Sequence, residues 1–427
     1  MPSPAAAAVL AALEPDEAHP FRVRVYDRER RRLGLLGAPR LLVATGRHLG
    51  VSTATIEVPL DHPRATALQQ QAARVEVDWR DQYLLGGRTV VEPEDTGDVE
   101  VLRLQVFDYA ELLRQTLGWV DASRPIEDQG REYATWRGTT EGVVKAIVGG
   151  QFARVGLPVQ IAPNLGRGLP KVTVRSRFDQ LDELVYPLLE EAGLGLTIRP
   201  TGPEHRRTGL VLDVHEPPTY PVRLTKASGV VRSSRVSLGR PTATRVIVMG
   251  GGEGKDRDLR HFADYPLEAQ YNVAIETTVD ARDARSDLDR ALADQERLAE
   301  DPDATTAQKS AAAALVATER TEYEAELAAR GAAALAEGAP RGSASVQLSE
   351  TRTFRFGTGA VQLGARLPMA LAGGVQLTER LREVTVSWGG QQQVPALSVG
   401  DRDESPDVVL IKALKKAQST VRRLTRR

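Results

Sequence analysis

The chain has 427 residues, 41% hydrophobic but only 5% aromatic, with a formal charge of -1. That length exceeds what one core usually serves, so two to four domains with thin aliphatic cores are expected, to which subunit association can add stability. The near-zero charge argues against bulk nucleic-acid binding, and the absence of cysteine excludes disulfides, thiolate metal sites and a cysteine nucleophile.

The opening Met1 to Leu13 has a short Ala-rich apolar run without the basic flank of a signal peptide, and no later stretch reaches the length of a membrane span. It reads as a loose or partner-bound arm, residues 1–20, of a soluble chain. Alternation of apolar and polar residues predicts strands at 21–27, 41–43, 53–58, 73–79, 88–91 and 99–108, with Gly86 and Gly87 as a turn. So many strands in about ninety residues favour a barrel or curved sheet over a βαβ unit. Helices are expected at 109–117, at 139–148 behind a threonine cap, and at 179–192, where Pro187 should kink or shift the start. Strands are expected between and after them, at 171–175, 194–199, 209–215, 229–238 and 244–249.

Four glycines in five residues, Gly250 to Gly254, then interrupt the chain before a charged run, and 271–278 reads as a further strand. The glycines lack both nucleotide signatures. Lys255 is followed by Asp256 where a P-loop needs Ser or Thr, and Lys255 holds the third glycine position of a dinucleotide fingerprint. The stretch therefore reads as a flexible interdomain or surface turn at a strand exit. From Arg282 to Glu337 Ala, Leu, Glu, Asp and Arg dominate, broken near Asp301-Pro302-Asp303. Two helices are predicted, paired as a hairpin, projecting as an arm or lying on a neighbour; their alanine-rich faces should leave them mobile unless something covers them. Strands return at 344–348, 351–356, 361–363, 374–377 and 381–388, with turns at glycines that include Gly373, Gly389 and Gly390. Residues 410–427 read as a basic amphipathic helix or a disordered tail, suited to partner docking.

Few residues qualify as a site. His19, His48, His62, His205, His215 and His261 are scattered, and Asp256, Asp258, His261 and Asp264 are the one local group with conceivable metal spacing, which hydrated loop residues explain as well. Asp179, Asp182 and Glu183, or Glu190 and Glu191, have the residue type of glycosidase acids but sit beside an amphipathic helix face that acids normally solvate. Gly342 to Ser345 is no nucleophile elbow. No catalytic, cofactor-binding or metal residue is assigned. Trp79, Trp119, Trp136 and Trp388 matter because aromatics along one groove would favour carbohydrate binding.

The opening strand 21–27 with its barrel pattern, the segments Gly138 to Val148 and Ala243 to Gly250, and above all Arg352 to Gly364 followed by Leu381 to Gly390 carry a resemblance. Over about residues 20–400 the chain resembles the tail-tip or baseplate hub proteins of long-tailed bacteriophages, in particular a Gp37-like siphovirus tail protein family. The resemblance implies a multidomain, mostly β, α+β chain with the phage tail hub fold. It would comprise a first barrel-like domain (21–108), a mixed α/β domain (109–228), strands of a second barrel with the Gly-rich turn (229–280), a helical insertion (281–340), a β segment completing the second barrel (341–404) and a basic tail (405–427). It further implies a structural homotrimer rather than an enzyme, while the residues themselves lead to the expectation of no cofactor, metal or membrane span and no specific nucleic-acid binding. Such a ring sits at the virion tail tip or baseplate and joins distal tail, tail tube and tape-measure proteins to tip or fibre proteins; a contractile tail or injection particle is the alternative setting. The competing functions are a tail-associated cell-wall hydrolase, which needs two convergent acids or a His/Asp metal cluster, and a host-surface carbohydrate-binding β protein.

Overall fold

The computed structural model describes residues 20–37, 39–70, 72–95, 100–237, 239–340, 343–357, 359, 361–371, 374–388 and 396–399. The expected arm (1–19, with His19), the basic tail (405–427) and the turn glycines Gly373, Gly389 and Gly390 lie outside these residues.

Period-two sequences form the first seven strands: β1 (Phe21–Tyr26), β2 (Arg32–Leu35), β3 (Leu41–Arg47), β4 (Thr53–Pro59), β5 (Arg74–Trp79), β6 (Gln82–Asp95) and β7 (Glu100–Asp108). All pair antiparallel in the order β3-β4-β7-β6-β5-β1-β2. Along β3 and β4 every second residue is buried, which puts Leu42, Ala44, Ala54, Ile56 and Val58 on the core face. A one-turn helix, α1 (Ala65–Leu68), adds Leu68 to the same core. Gly86 and Gly87 are not the turn. They lie inside β6, where a Cβ on Gly87 would come within 1.8 Å of the Phe107 carbonyl oxygen of β7. The reversal is the two-residue loop Arg80-Asp81, both with positive φ (49° and 58°), a type I′ geometry that matches strand twist but lacks its usual Asn-Gly signal.

The next block mixes helices and short strands: α2 (Glu111–Arg114), β8 (Ala134–Gly138), α3 (Thr140–Arg154), β9 (Val159–Ile161), β10 (Val172–Ser176), α4 (Leu181–Ala192), β11 (Gly195–Thr201) and β12 (Gly209–His215). The Thr139 hydroxyl accepts from the Gly142 N–H as N-cap of α3. Helix α4 starts at Leu181 rather than 179, runs through Pro187 and stops at Gly193 (φ 75°). Both helices pack on the sheets β10-β8 and β11-β12-β9 around a second core that includes Val144, Ile147, Phe152, Leu181, Leu189 and Leu212.

The chain then passes through β13 (Leu224–Thr225), β14 (Val231–Ser237), β15 (Arg245–Met249), β16 (Leu259–Ala263), α5 (Tyr265–Tyr271), β17 (Glu276–Asp280), α6 (Ser286–Glu300) and α7 (Thr306–Gly338). It ends with β18 (Ser343–Leu348), β19 (Arg366–Ala370), β20 (Gln376–Trp388) and β21 (Ala396–Val399). The block expected over 229–280 divides. Strand β14 joins the late strands, whereas β15 is the centre of a separate sheet, antiparallel to β16 and parallel to β17. The strand expected at 271–278 is shifted, because Asp264 caps α5 and the chain stays helical to Tyr271. Residues 351–356 form no strand; the Phe356 N–H goes to the Glu350 carboxylate and the Phe354 N–H to the Thr351 hydroxyl, which takes these amides out of any ladder.

Strand β20 pairs with β3 from Glu383↔Arg47 to Trp388↔Leu42, so the early and late strands are one 13-stranded sheet that runs β14-β18-β21-β20-β3-β4-β7-β6-β5-β1-β2, with β19 branching from β20 and β13 paired to β19. This order is open, and β14 and β2 stand at its ends among the described residues. One apolar core serves it, shared by Val25, Ile56 and Leu102 from the early strands and Phe354, Met369 and Val386 from the late ones. The molecule is thus a mixed α/β fold with several sheets.

Candidate functional site

The glycine stretch is the β15–β16 loop. Gly250 and Gly251 are buried beneath the helical hairpin, where a Cβ would stand 2.2 Å from the hydroxyl oxygen of Tyr323 in α7 and 2.1 Å from Cδ of Arg285, just before α6, respectively. The Gly251 N–H donates to Tyr323 Oη at 3.0 Å, and Arg257 ties the loop down by donating to the Met249 and Gly250 carbonyls and to Asp280. The expected flexible turn is therefore a close-packed contact for the first two glycines. Only the tip, from Gly252 to Asp256, is exposed.

The two expected helices form a hairpin that is covered by its own chain. Its apolar side, with Leu288, Ala291, Val316, Tyr323 and Leu327, packs on Val246 and Val248 of β15. A second side meets β8 and β10 through charge. Asp287, 5% exposed, accepts from Thr135, Arg137 and Arg175, while Glu319 takes Arg137 and Glu326 takes Arg175. These contacts hold the Asp287 carboxyl below the usual range despite the opposing effect of burial. Sequence reasoning missed them because helix residues 287, 319 and 326 and strand residues 137 and 175 are remote in the chain.

Three of the candidate acids serve structural ends. Asp179 accepts from Ser176 Oγ and the Arg177 N–H before α4, Glu190 pairs with Arg382 at 2.8 Å, and Asp264 caps α5. Of the proposed metal group, Asp258 pairs with Arg260, and no cluster of three or more possible ligands exists among the described residues. A pairing absent from the sequence reading is Lys145, whose Nζ donates to Glu141 at 2.7 Å, the Pro163 carbonyl and Asp213. It fastens α3 to β12 and to the loop after β9. Arg24, Glu76, Asp78, Glu204 and Arg207 similarly bind β1 and β5 to the 204–207 turn.

Two of the tryptophans share a pocket. Trp119 and Trp136 line it, with the Arg154 guanidinium 4.2 Å from the Trp119 ring. Trp79 is buried in the first core and Trp388 packs against it, so the four do not form one groove.

A cavity of about 150 Å³ opens where β3, β5–β7, α4, β11 and β12 meet. It unites residues far apart in sequence: Arg47, His48, Trp79, Tyr83, Asp108, Tyr186, Arg199 and His215 line it. The His48 ring fits a slot between Gly195 and Gly364, whose added Cβ atoms would approach it to 3.3 Å and 2.5 Å. Burial, then Arg380, His215 and Arg382, lower the His48 pKa to about 3, so the imidazole is neutral. Burial raises Asp108 to about 6, even though its carboxylate accepts the Ala110 N–H. His48 and His215 could be read from the sequence only as scattered residues.

No curated protein matches the chain significantly. Solved structures similar to it include the 43 kDa tail protein of prophage MuSo2 from Shewanella oneidensis, at 12% identity and a TM-score of 0.46 over 88% of this chain and 98% of that one. A tail protein from Neisseria meningitidis MC58 gives 12% identity and 0.48 over 90% and 97%, and prophage tail protein gp18 from Listeria monocytogenes EGD-e gives 11% and 0.44 over 92% and 99%. These values transfer no residue role or assembly. The family model gives the assignment: the chain belongs to the Siphovirus ReqiPepy6 Gp37-like protein family, whose model it matches over residues 22–401.

Proposed function

We propose that the protein is a structural, non-enzymatic subunit of a phage virion, placed at the tail tip or baseplate, where three copies form a hub ring. Family membership supports the role, and one structural observation carries the geometry: the early and late strands form a single sheet through β3 and β20. In this reading the sheet's two halves, β1–β7 and β14 with β18–β21, are the frames of the two hub barrels, and the mixed block 109–228, the separate β15–β17 sheet and the helical segment 281–340 are additions to that frame. The end strands β2 and β14 are the surfaces for head-to-tail contact, since an edge strand carries unpaired backbone groups and heterologous contacts close into rings. The ring joins distal tail, tail tube and tape-measure proteins on one side to tip or fibre proteins on the other.

Mass photometry of the purified full chain, together with immunogold imaging of phage particles, tests this. The expected results are a species of three chain masses and label at the tail end distal to the capsid. A monomer that persists at every concentration, with label absent from the tail, would sink the proposal.

A further inference from the structure

Residues 243–338 have the build of an inserted unit. They contain a complete sheet, β16-β15-β17, with helices α5, α6 and α7. Their apolar core is their own: its members, among them Val246, Phe262, Ala284, Tyr323 and Leu335, all fall within this range, and neither the core of the large sheet nor that of the mixed block takes a side chain from it. The chain enters and leaves the unit at one point. The Thr242 and Ala243 N–H groups both donate to the Gly338 carbonyl, at 2.8 and 3.3 Å, and a Cβ on Gly338 would stand 2.5 Å from that of Ala243. Adjacent ends and a separate core are what a domain inserted into another chain requires.

The contact with the mixed block is of a different kind. Strands β8 and β10 alternate, so that Trp136, Val172 and Val174 turn to the second core while Thr135, Arg137 and Arg175 meet the helices. The strand side supplies Arg137, Lys171 and Arg175, and the helix side answers with Asp287, Glu319, Glu322 and Glu326. Units joined through polar contacts move relative to one another unless a large apolar interface prevents it. Losing one charge strands its partners, but moving the whole unit away hydrates both sides together, so the closed position rests on ion pairing against desolvation rather than on shared apolar area. We propose that residues 243–338 are a hinged arm that swings off the β8–β10 face as one body about Thr242–Ala243 and Gly338, with Arg137 and Arg175 as its latch. Opening uncovers a basic strip on the strands and an acidic strip on the helices, and this complementarity fixes the register in which the arm closes again.

The chain has no cysteine, so paired substitutions create unique spin-label sites for pulsed EPR distances on the full chain. Ala153→Cys in α3 with Ser310→Cys in α7 reads across the latch, and Thr278→Cys in β17 with Ser310→Cys reads within the arm; all three positions are exposed. With the latch intact each pair is expected to give one distance. Adding Arg137→Gln/Arg175→Gln should move most of the Ala153–Ser310 population to a longer distance, while the Thr278–Ser310 distance and the circular dichroism spectrum stay as they were. Glu319→Gln, a milder loss, should produce the same longer distance in a smaller share. An Ala153–Ser310 distance unchanged in both variants, or a Thr278–Ser310 distance that spreads in step with it, would overturn the proposal.

Discussion

His48 and Asp108 line one cavity and are shifted in opposite directions, each chiefly by burial. The folded pKa of His48, about 3, lies below its ordinary 6.5, so the unfolded chain binds the extra proton between those values, and the stability due to a neutral His48 is lost as pH falls through that window. Asp108 is the reverse case. Its folded pKa of about 6 lies above the ordinary 3.8, so the native state holds the extra proton, and its contribution declines as pH rises from 3.8 to 6. Each slope is at most about 1.4 kcal/mol per pH unit, and they oppose between pH 4 and 6. Relative to wild type, Asp108→Asn should make chemical-denaturation stability climb more steeply across that interval and His48→Gln less steeply; parallel pH profiles for all three would contradict the assignment. Tyr323 tests another close contact. Tyr323→Phe leaves the buried Gly251 N–H without its acceptor and should cost about 1–2 kcal/mol, with faster amide exchange at Gly251 as the local signature.

The helical hairpin shows how an element of weak amphipathicity is held. Helix α7 spans 33 residues with few large apolar side chains, and a capping box at Thr305 and Gln308 starts it. Its apolar contacts face β15, and its side toward β8 and β10 is charged, with Arg175 and Asp287 both almost wholly buried. Removing one member of such a group strands the others, so Asp287→Ala should cost about 3 kcal/mol and raise hydrogen exchange along α6 and α7. By contrast Lys171, 62% exposed in its pair with Glu322, should be nearly silent when changed to Ala. Equal effects of the two substitutions on the unfolding midpoint would refute this division. The helices were legible from composition and the break near Asp301, but the partner that covers them was not, because a charged residue on a helix looks the same in sequence whether it meets water or a strand 150 residues away.

At the scale of the whole molecule, local pattern determined most element types. Alternating apolar residues produced the strands of the first block and the strand at 209–215, and the threonine cap and apolar spacing marked α3, since these signals act within a few residues. The sequence also carried the absence of disulfides and the family resemblance. Tertiary structure alone decided what those elements do together. Only the fold shows that Gly86 and Gly87 lie inside a strand, that Gly250 and Gly251 seat a helix, that strands some 340 residues apart pair as β3 and β20, and that His48, Tyr83 and Tyr186 share a cavity. The physical reason is range: propensity and periodicity are set by neighbours along the chain, whereas close packing, ion pairing and cavity lining depend on groups brought together only when distant segments have docked.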